Sequence, residues 1–309
     1  MMKVLLTGSS GFVGSRLIPL LKSQGIQTIV VSSNRLAAGD TGELDGLLSK
    51  QSGQIDAIVH LGGRAHIVHD KDDDPKLAFF KANVETTKLL AEFAIRYKIR
   101  KFIYISSVKA LGERSPTDEP LTVEDEPKPE DDYGKSKLEA EDTLRSICSH
   151  EFLQYTILRP PLIVGSGAKG NLNRLTWLVR KGIPLPFAGI KNKRSLVGVR
   201  NFCDAILFSL IHASTDNKIF LVSDSSLSTP ELFRYFSEAL GVRDSLFYFP
   251  QGILRLLRLL PGLGGIIDRL CGSLEIDSSP LLELGWNPKV PIQEEIRALC
   301  SDSKIDASN

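Results

Sequence analysis

The run Lys3–Gly14, Lys-Val-Leu-Leu-Thr-Gly-Ser-Ser-Gly-Phe-Val-Gly, constrains this chain more than any other stretch. Val4–Leu6 is short and wholly apolar, as a buried parallel strand must be. Thr7 ends it, and glycines follow at Gly8, Gly11 and Gly14. From Arg16 to Leu21 the apolar residues Leu17, Ile18, Leu20 and Leu21 begin a helical pattern. Strand, glycine turn and helix in that order present backbone N–H groups at a helix N-terminus, where a pyrophosphate is held. Gly8 serves the tight turn, Gly11 the approach of phosphate to backbone, and Gly14 the packing of helix on strand. Ser10, Phe12 and Val13 complete the turn that would face the ligand. A glycine triplet in an ordinary loop is only a turn. Its place between a strand and a helix makes dinucleotide binding the expectation here.

Strand and helix patterns then alternate, which predicts an α/β fold: a doubly wound, Rossmann-type parallel sheet. Thr28–Val31 reads as the second strand, and a weak third closes at Gly39-Asp40. Asp56–Leu61 is the fourth, Lys101–Ser106 the fifth and Leu153–Leu158 the sixth. Pro75–Tyr97 reads as a helix, with Leu77, Phe80, Val84, Leu89, Leu90 and Phe93 on its apolar face. Glu113–Asp132 is rich in Pro, Asp and Glu and reads as a surface loop. Past Arg159-Pro160-Pro161, Gly and Pro become frequent and the alternation loosens. This divides the chain into a dinucleotide-binding part, 1–165 with a return segment about 195–225, and a smaller C-terminal lobe, 166–309. Ile219–Val222 is read as a returning sheet strand, and the chain from Thr229 as helical.

A formal net charge of +1 gives no basic face for nucleic acid. Cys148, Cys203, Cys271 and Cys300 lie far apart without metal-ligand spacing, so no metal is expected and reduced thiols in the cytoplasm are. The first apolar run is needed as a strand rather than as a signal peptide, and no apolar run is long enough to span a membrane. Gly252–Leu270 alternates Leu and Ile with Arg255, Arg258 and Arg269. Two readings stand, an amphipathic helix on a membrane surface or a helix pair packed on the lobe. Pro261, Gly262, Gly264 and Gly265 interrupt it and favour the second.

The helix after the acidic loop opens Tyr133-Gly-Lys-Ser-Lys137. Residues four apart share a helix face, so the phenol and the ammonium project side by side. A neighbouring cation is expected to lower the tyrosine's pKa and make it an acid/base near neutrality. Such a pair also occurs by chance in structural helices. Its weight comes from Ser106-Ser107 at the end of the fifth strand, since ligands of open α/β sheets bind at strand carboxyl ends. A serine there can orient a reacting carbonyl, or can simply cap a turn.

Glycine turn, strand-end serines and Tyr-x-x-x-Lys in this order resemble the extended short-chain dehydrogenase/reductase family over nearly the whole chain. His60-Leu61-Gly62-Gly63 resembles its fourth-strand motif, with glycines where alanines are commoner. Asn83-Val84-Glu85-Thr86-Thr87 is similar to its Asn-Val-x-Gly-Thr, with Thr86 in place of Gly. Arg159-Pro160 and Leu284-Gly285-Trp286 match its later turns. The resemblance implies Ser107, Tyr133 and Lys137 as catalytic residues. It implies contact with the cofactor for Leu61, Gly62, Asn83 and Pro160 beside the glycine turn, Tyr133 and Lys137. Asn171, Leu172 and Arg194 resemble segments that hold a nucleotide sugar, and Lys109 and Phe187 are assigned to the same substrate site.

The second strand ends Ser32-Ser33-Asn34-Arg35, without the acidic residue that NAD-preferring members place on the ribose 2′-hydroxyl. Ser32 and Arg35 suit a 2′-phosphate, so NADP is favoured over NAD; as an alternative, Arg35 is a solvated charge. Sugar-nucleotide 4,6-dehydratases carry Asp-Glu after the catalytic hydroxyl residue, and this chain has Val108-Lys109. The resemblance is closest to bacterial surface-polysaccharide enzymes labelled UDP-glucose 4-epimerase-like, including reductases of UDP-4-keto-6-deoxy-N-acetylglucosamine that yield UDP-N-acetylquinovosamine. It implies NAD(P)H-dependent reduction of a UDP-linked 4-keto sugar in O-antigen biosynthesis, with a UDP-hexose 4-epimerase as the alternative. A dinucleotide-binding regulator without catalysis is the third reading. A homodimer is left open.

Overall fold

In the computed structural model, the structure describes residues 1–40, 42, 44, 46, 54–64, 74–116, 118–168, 170–256 and 264–305. The first strand, β1 (Lys3–Thr7), buries Val4, Leu5 and Leu6 completely. It runs into α1 (Gly14–Ser23), which turns Leu17 and Leu21 onto the sheet, and then into β2 (Gln27–Val31). A short helix, α2 (Ser33–Ala37), precedes β3 (Ala57–His60). The helical stretch after β3 is α3 (Pro75–Phe79), a π-helical segment Phe80–Glu85, and α4 (Thr86–Arg96). Then come β4 (Lys101–Ile105), α5 (Asp132–Cys148) and β5 (Gln154–Arg159).

The C-terminal half contains β6 (Leu162–Val164), α6 (Asn171–Arg180), β7 (Arg194–Gly198) and α7 (Val199–Ile211). It continues with β8 (Lys218–Leu221), β9 (Ser225–Leu227), α8 (Thr229–Leu240), α9 (Gln251–Leu256) and α10 (Gly264–Cys271). Two helices close it, α11 (Ser279–Glu283) and α12 (Ile292–Ile305).

The main sheet is all parallel, in the order β2-β1-β3-β4-β5-β8. Parallel strands need crossovers, and helices cover both faces. One face packs Leu17, Leu21, Phe202 and Ile206 of α1 and α7 on the sheet; the other packs Leu90, Phe93, Ala140 and Leu144 of α4 and α5. The chain leaves β1 to one side for β2 and returns to the other side for β3. That reversal opens a crevice at the carboxyl ends of β1 and β3, where open α/β sheets bind ligands.

A second sheet, β6-β7-β9, pairs β6 and β7 in parallel and β7 and β9 antiparallel. The lobe core beside it gathers Leu172, Phe187, Phe233, Phe236, Ile296 and Leu299. α8 is well terminated, with a Ser228/Glu231 capping box at its start and Gly241 at φ +68° at its end. Gly285 at φ +105° reverses the chain so that Trp286 inserts into the main core. Among the described residues no helix is long and apolar enough to cross a membrane.

Gly39-Asp40 does not end a strand. The Gly39 and Asp40 N–H groups donate to Leu36 and Arg35 carbonyls, and Gly39 takes φ +80°, so the segment closes α2. Polar Ser33-Asn34-Arg35 has no alternating apolar face to bury, and a helical turn satisfies its backbone locally. The helix pair expected over Gly252–Leu270 is seen as α9 and α10. The interruption at Pro261 and Gly262, with Arg258, lies outside the described residues.

Candidate active site

The glycine turn is as tight as its spacing requires. Gly8 has φ +70°, and a Cβ added there would fall 2.7 Å from the Gly62 backbone nitrogen. At Gly14 the clash would be 2.3 Å from the Gly8 carbonyl oxygen. Gly11 donates to Gly8 O at 3.0 Å, and Ser15 to Gly11 O at 3.0 Å, so helical bonding starts within the turn. The N–H groups of such a first turn lack intrahelical partners and face outward as an anion cradle. Thr7 Oγ1 accepts from Gly62 N–H at 3.1 Å and lies 2.6 Å from His60 Nδ1, which ties the ends of β1 and β3 together. These residues fit a dinucleotide pyrophosphate.

Ser32 stands just before α2 without capping it by its side chain, Ser33 packs against Gly62, and Arg35 is exposed. A Cβ at Gly62 would meet Ser33 Cβ at 2.5 Å, which accounts for glycine where the family commonly has alanine. Gly63 has the same need, since a Cβ there would meet Asn83 Oδ1 at 2.6 Å and Lys137 Nζ at 3.3 Å.

Asn83 sits in the π-helical segment, a distortion often found at functional sites. It accepts from Arg64 N–H at 2.9 Å and donates to Arg64 O at 3.2 Å and to Ser136 Oγ at 2.8 Å. One side chain thus joins the loop after β3 to α5. Leu61 lies half-buried in that loop, between His60 and the two glycines.

Ser107 and Tyr133 come together. The β4–β5 ladder continues past β4, with Ser106 N–H on Leu158 O and Val108 N–H on Pro160 O, and this places Pro160 beside Ser107. Ser107 accepts from Lys109 N–H at 3.2 Å, and its hydroxyl lies near enough to the Tyr133 phenol to favour the ionised form. Asp131 caps α5 by accepting from Gly134 N–H at 2.7 Å, which fixes the turn carrying Tyr133. Phe79 packs against the phenol ring at 6.0 Å.

Lys137 follows one turn later, buried, and donates to Ile105 O at 2.9 Å with its ammonium 4.8 Å from the Tyr104 ring. Burial lowers its pKa to about 8, against the pull of Glu141. Tyr133 departs from the expectation of a lowered pKa. Burial pushes it up to about 12, with the nearby Ser107 hydroxyl opposing the rise and Asp131 adding to it. The ammonium faces the Ile105 carbonyl and the Tyr104 ring, and desolvation of the phenol dominates.

Sequence spacing did not single out Glu141, although it continues the four-residue step from Tyr133 and Lys137. Its carboxylate is fully buried and is held by Arg159 Nε at 3.0 Å and Nη2 at 2.5 Å. In the sequence His60 is marked only by its place in the fourth-strand motif. It is fully buried, stacks on Tyr104 at 5.6 Å, and burial lowers its pKa to about 3.

The residues assigned to the substrate divide. Arg194 begins β7, donates to Gly272 O at 3.0 Å and has Glu113 and Arg269 as charged neighbours; burial lowers its pKa. Leu172 and Phe187 belong to the lobe core, Phe187 stacked on Phe233 at 5.9 Å, so their side chains do not line an open site. Their apolar surface is better satisfied among other apolar side chains than against a polar sugar. Lys109 is engaged elsewhere, 2.8 Å from Glu113 and 2.6 Å from Asp131. Asn171 starts α6, and its side chain lies outside those described.

Residues 4–223 match the model of the NAD dependent epimerase/dehydratase family. The chain is 39% identical over 307 residues to a UDP-glucose 4-epimerase of Vibrio cholerae, covering 94% of this chain and 92% of that one. Among solved structures it is similar to a UDP-glucose 4-epimerase of Thermotoga maritima with UDP-glucose, at TM-score 0.78 and 22% identity over 99% of this chain and 100% of that one. A Thermus thermophilus UDP-glucose 4-epimerase with NAD gives TM-score 0.77 and 21% identity, covering 98% and 99%. RMD from Pseudomonas aeruginosa with NADPH gives 0.75 and 20%, covering 98% and 100%. At these identities the solved structures speak for the fold, and the family match and the Vibrio relative speak for kinship. The chain belongs to the NAD-dependent epimerase/dehydratase family, in its nucleotide-sugar branch.

Proposed function

We propose that this enzyme reduces the C4 keto group of a UDP-4-keto-6-deoxy-hexosamine, giving UDP-N-acetylquinovosamine or a close relative for surface polysaccharide. The observation that carries this reading is the end of β2, where Ser32-Ser33-Asn34-Arg35 offers no carboxylate to an NAD ribose, and a phosphate-bearing, exchangeable cofactor suits one-way reduction. The site also holds a proton donor: the buried phenol of Tyr133, pushed up to about 12, keeps its proton at neutral pH, with the hydroxyl of Ser107 nearby. A ketone being reduced needs a proton donor at its oxygen, and this phenol is one.

A bound nicotinamide cofactor supplies the hydride. Ser107 hydrogen-bonds the C4 oxygen and supports the charge that develops there. Tyr133 gives that oxygen its proton. Lys137, its ammonium anchored on Ile105 O, would hold the nicotinamide ribose. The glycine turn from Gly8 to Gly14, with Ser10, Phe12 and Val13, holds the pyrophosphate, and Leu61, Gly62, Asn83 and Pro160 wall the crevice. Ser32 and Arg35 at the end of β2, without a carboxylate, favour NADPH. Arg194, with Asn171, is the residue for the UDP diphosphate.

The second reading is a UDP-hexose 4-epimerase, favoured by the similarity to the Vibrio cholerae enzyme. Epimerisation begins by taking a proton from a 4-hydroxyl, for which Tyr133 must first be ionised. The test is to supply UDP-4-keto-6-deoxy-N-acetylglucosamine with NADPH or NADH and follow cofactor absorbance. Net oxidation of the cofactor supports the reductase. No oxidation, together with interconversion of UDP-N-acetylglucosamine and UDP-N-acetylgalactosamine, supports the epimerase.

A further inference from the structure

Lys109 touches both halves of the site by two different groups. Its backbone N–H donates to Ser107 Oγ at 3.2 Å, which leaves the serine's own hydrogen free to point at an oxygen nearby. Its ammonium lies 2.6 Å from Asp131 Oδ2, while Asp131 Oδ1 accepts from Gly134 N–H at 2.7 Å as the cap of α5. The backbone is pressed together at the same point, because a Cβ on Gly134 would fall 2.4 Å from the Lys109 carbonyl oxygen. A second carboxylate, Glu113 at 2.8 Å, completes the cluster and neighbours Arg194. The side chains are partly shielded, with Lys109 20% and Asp131 28% exposed, so these pairs exceed ordinary surface pairs in strength.

Asp131 is a negative charge two residues from Tyr133, and it opposes ionisation of the phenol and negative charge building beside it. Lys109 is the cation set against that charge. Resting on the assignment of Ser107 and Tyr133 as catalytic, we propose that Lys109 is a positioning residue rather than a substrate ligand. Its main chain aims Ser107, and its ammonium pins the Glu113–Asp132 loop to the cap of α5 while neutralising Asp131 beside Tyr133. A lysine here thus has a different task from the glutamate that dehydratases place at the same step after the hydroxyl residue.

Four variants test this: Lys109→Met, Lys109→Arg, Asp131→Asn and Lys109→Met with Asp131→Asn. Asparagine caps a helix about as well as aspartate, so Asp131→Asn removes the charge and keeps the fold. Lys109→Met is expected to lower kcat about tenfold with KM for the UDP-sugar nearly unchanged, a loss at the lower end of those for misplaced acid/base groups. Lys109→Arg should restore most of the rate, and adding Asp131→Asn to Lys109→Met should recover it in part. Limited proteolysis should cut the Glu113–Asp132 loop faster in Lys109→Met than in the parent. A raised KM with unchanged kcat, or no change at all, overturns the proposal. So does a double variant no better than Lys109→Met alone. Tyr133→Phe, run in parallel, separates the two claims: if it retains turnover the site assignment fails, and if it alone loses turnover only the role of Lys109 fails.

Discussion

The hydroxyl of Ser107, from the loop just past β4, stands near the phenol of Tyr133, in the first turn of α5, and opposes the rise in that phenol's pKa. That placement depends on three separate supports: the Asp131 cap, the Lys109 N–H on Ser107, and the ladder that carries Val108 onto Pro160. Removing the phenolic oxygen should leave those supports in place. Tyr133→Phe is expected to keep its thermal midpoint near that of the parent and to lose about 10²–10⁴ in turnover. Steady-state kinetics beside a melting curve would check both parts; near-parental turnover would remove Tyr133 from the mechanism.

The buried pair below Lys137 should matter for folding. Arg159 and Glu141 are 3% and 1% exposed, and the loss of one partner strands the other charge. Arg159→Met should therefore cost about 3–5 kcal/mol. Arg159→Met combined with Glu141→Leu should cost much less, because no charge is left unpaired. Urea unfolding of the two variants would measure the difference.

His60 makes stability depend on pH. Its folded-state pKa is about 3 and its ordinary value 6.5, so between these pH values the unfolded chain binds a proton that the folded chain refuses. Stability contributed by this group is full above 6.5 and is lost as pH falls toward 3, by up to about 1.4 kcal/mol per pH unit. A His60→Gln variant should lack that slope, as read from urea midpoints across the window.

Cofactor choice turns on the end of β2. Arg35→Ala should raise KM for NADPH and change that for NADH little, since the guanidinium fork suits the 2′-phosphate. Equal effects on both cofactors would leave Arg35 as a solvated charge.

The strands that build the crevice were legible because they are continuous apolar runs punctuated by glycine. The site was legible where one backbone element sets the spacing, as in Tyr133 and Lys137 or the three glycines. It was not legible where the outcome depends on competition between environments. A four-residue step puts Lys137 on the helix face of Tyr133, yet its ammonium turns to Ile105 O and the Tyr104 ring, and burial raises the phenol's pKa. Leu172 and Phe187 carry no mark in the sequence that separates a core residue from a cleft residue, and the lobe core claims both. Lys109 looks like any cation in a cleft until Glu113 and Asp131, four and twenty-two residues away, are seen to hold it. Gly39-Asp40 looks like a strand end in sequence, because a glycine that closes a short helix carries the same signal.

In the proposed reduction the hydride given to C4 comes from free reduced cofactor and stays in the product. The direct measurement is to supply a UDP-4-keto-6-deoxy sugar with NADPH or NADH carrying deuterium at the transferred position, and to examine C4 of the product by NMR. One deuterium at C4 is expected for each cofactor oxidised. Interconversion of UDP-N-acetylglucosamine and UDP-N-acetylgalactosamine without added reductant, with no label entering C4, would contradict it.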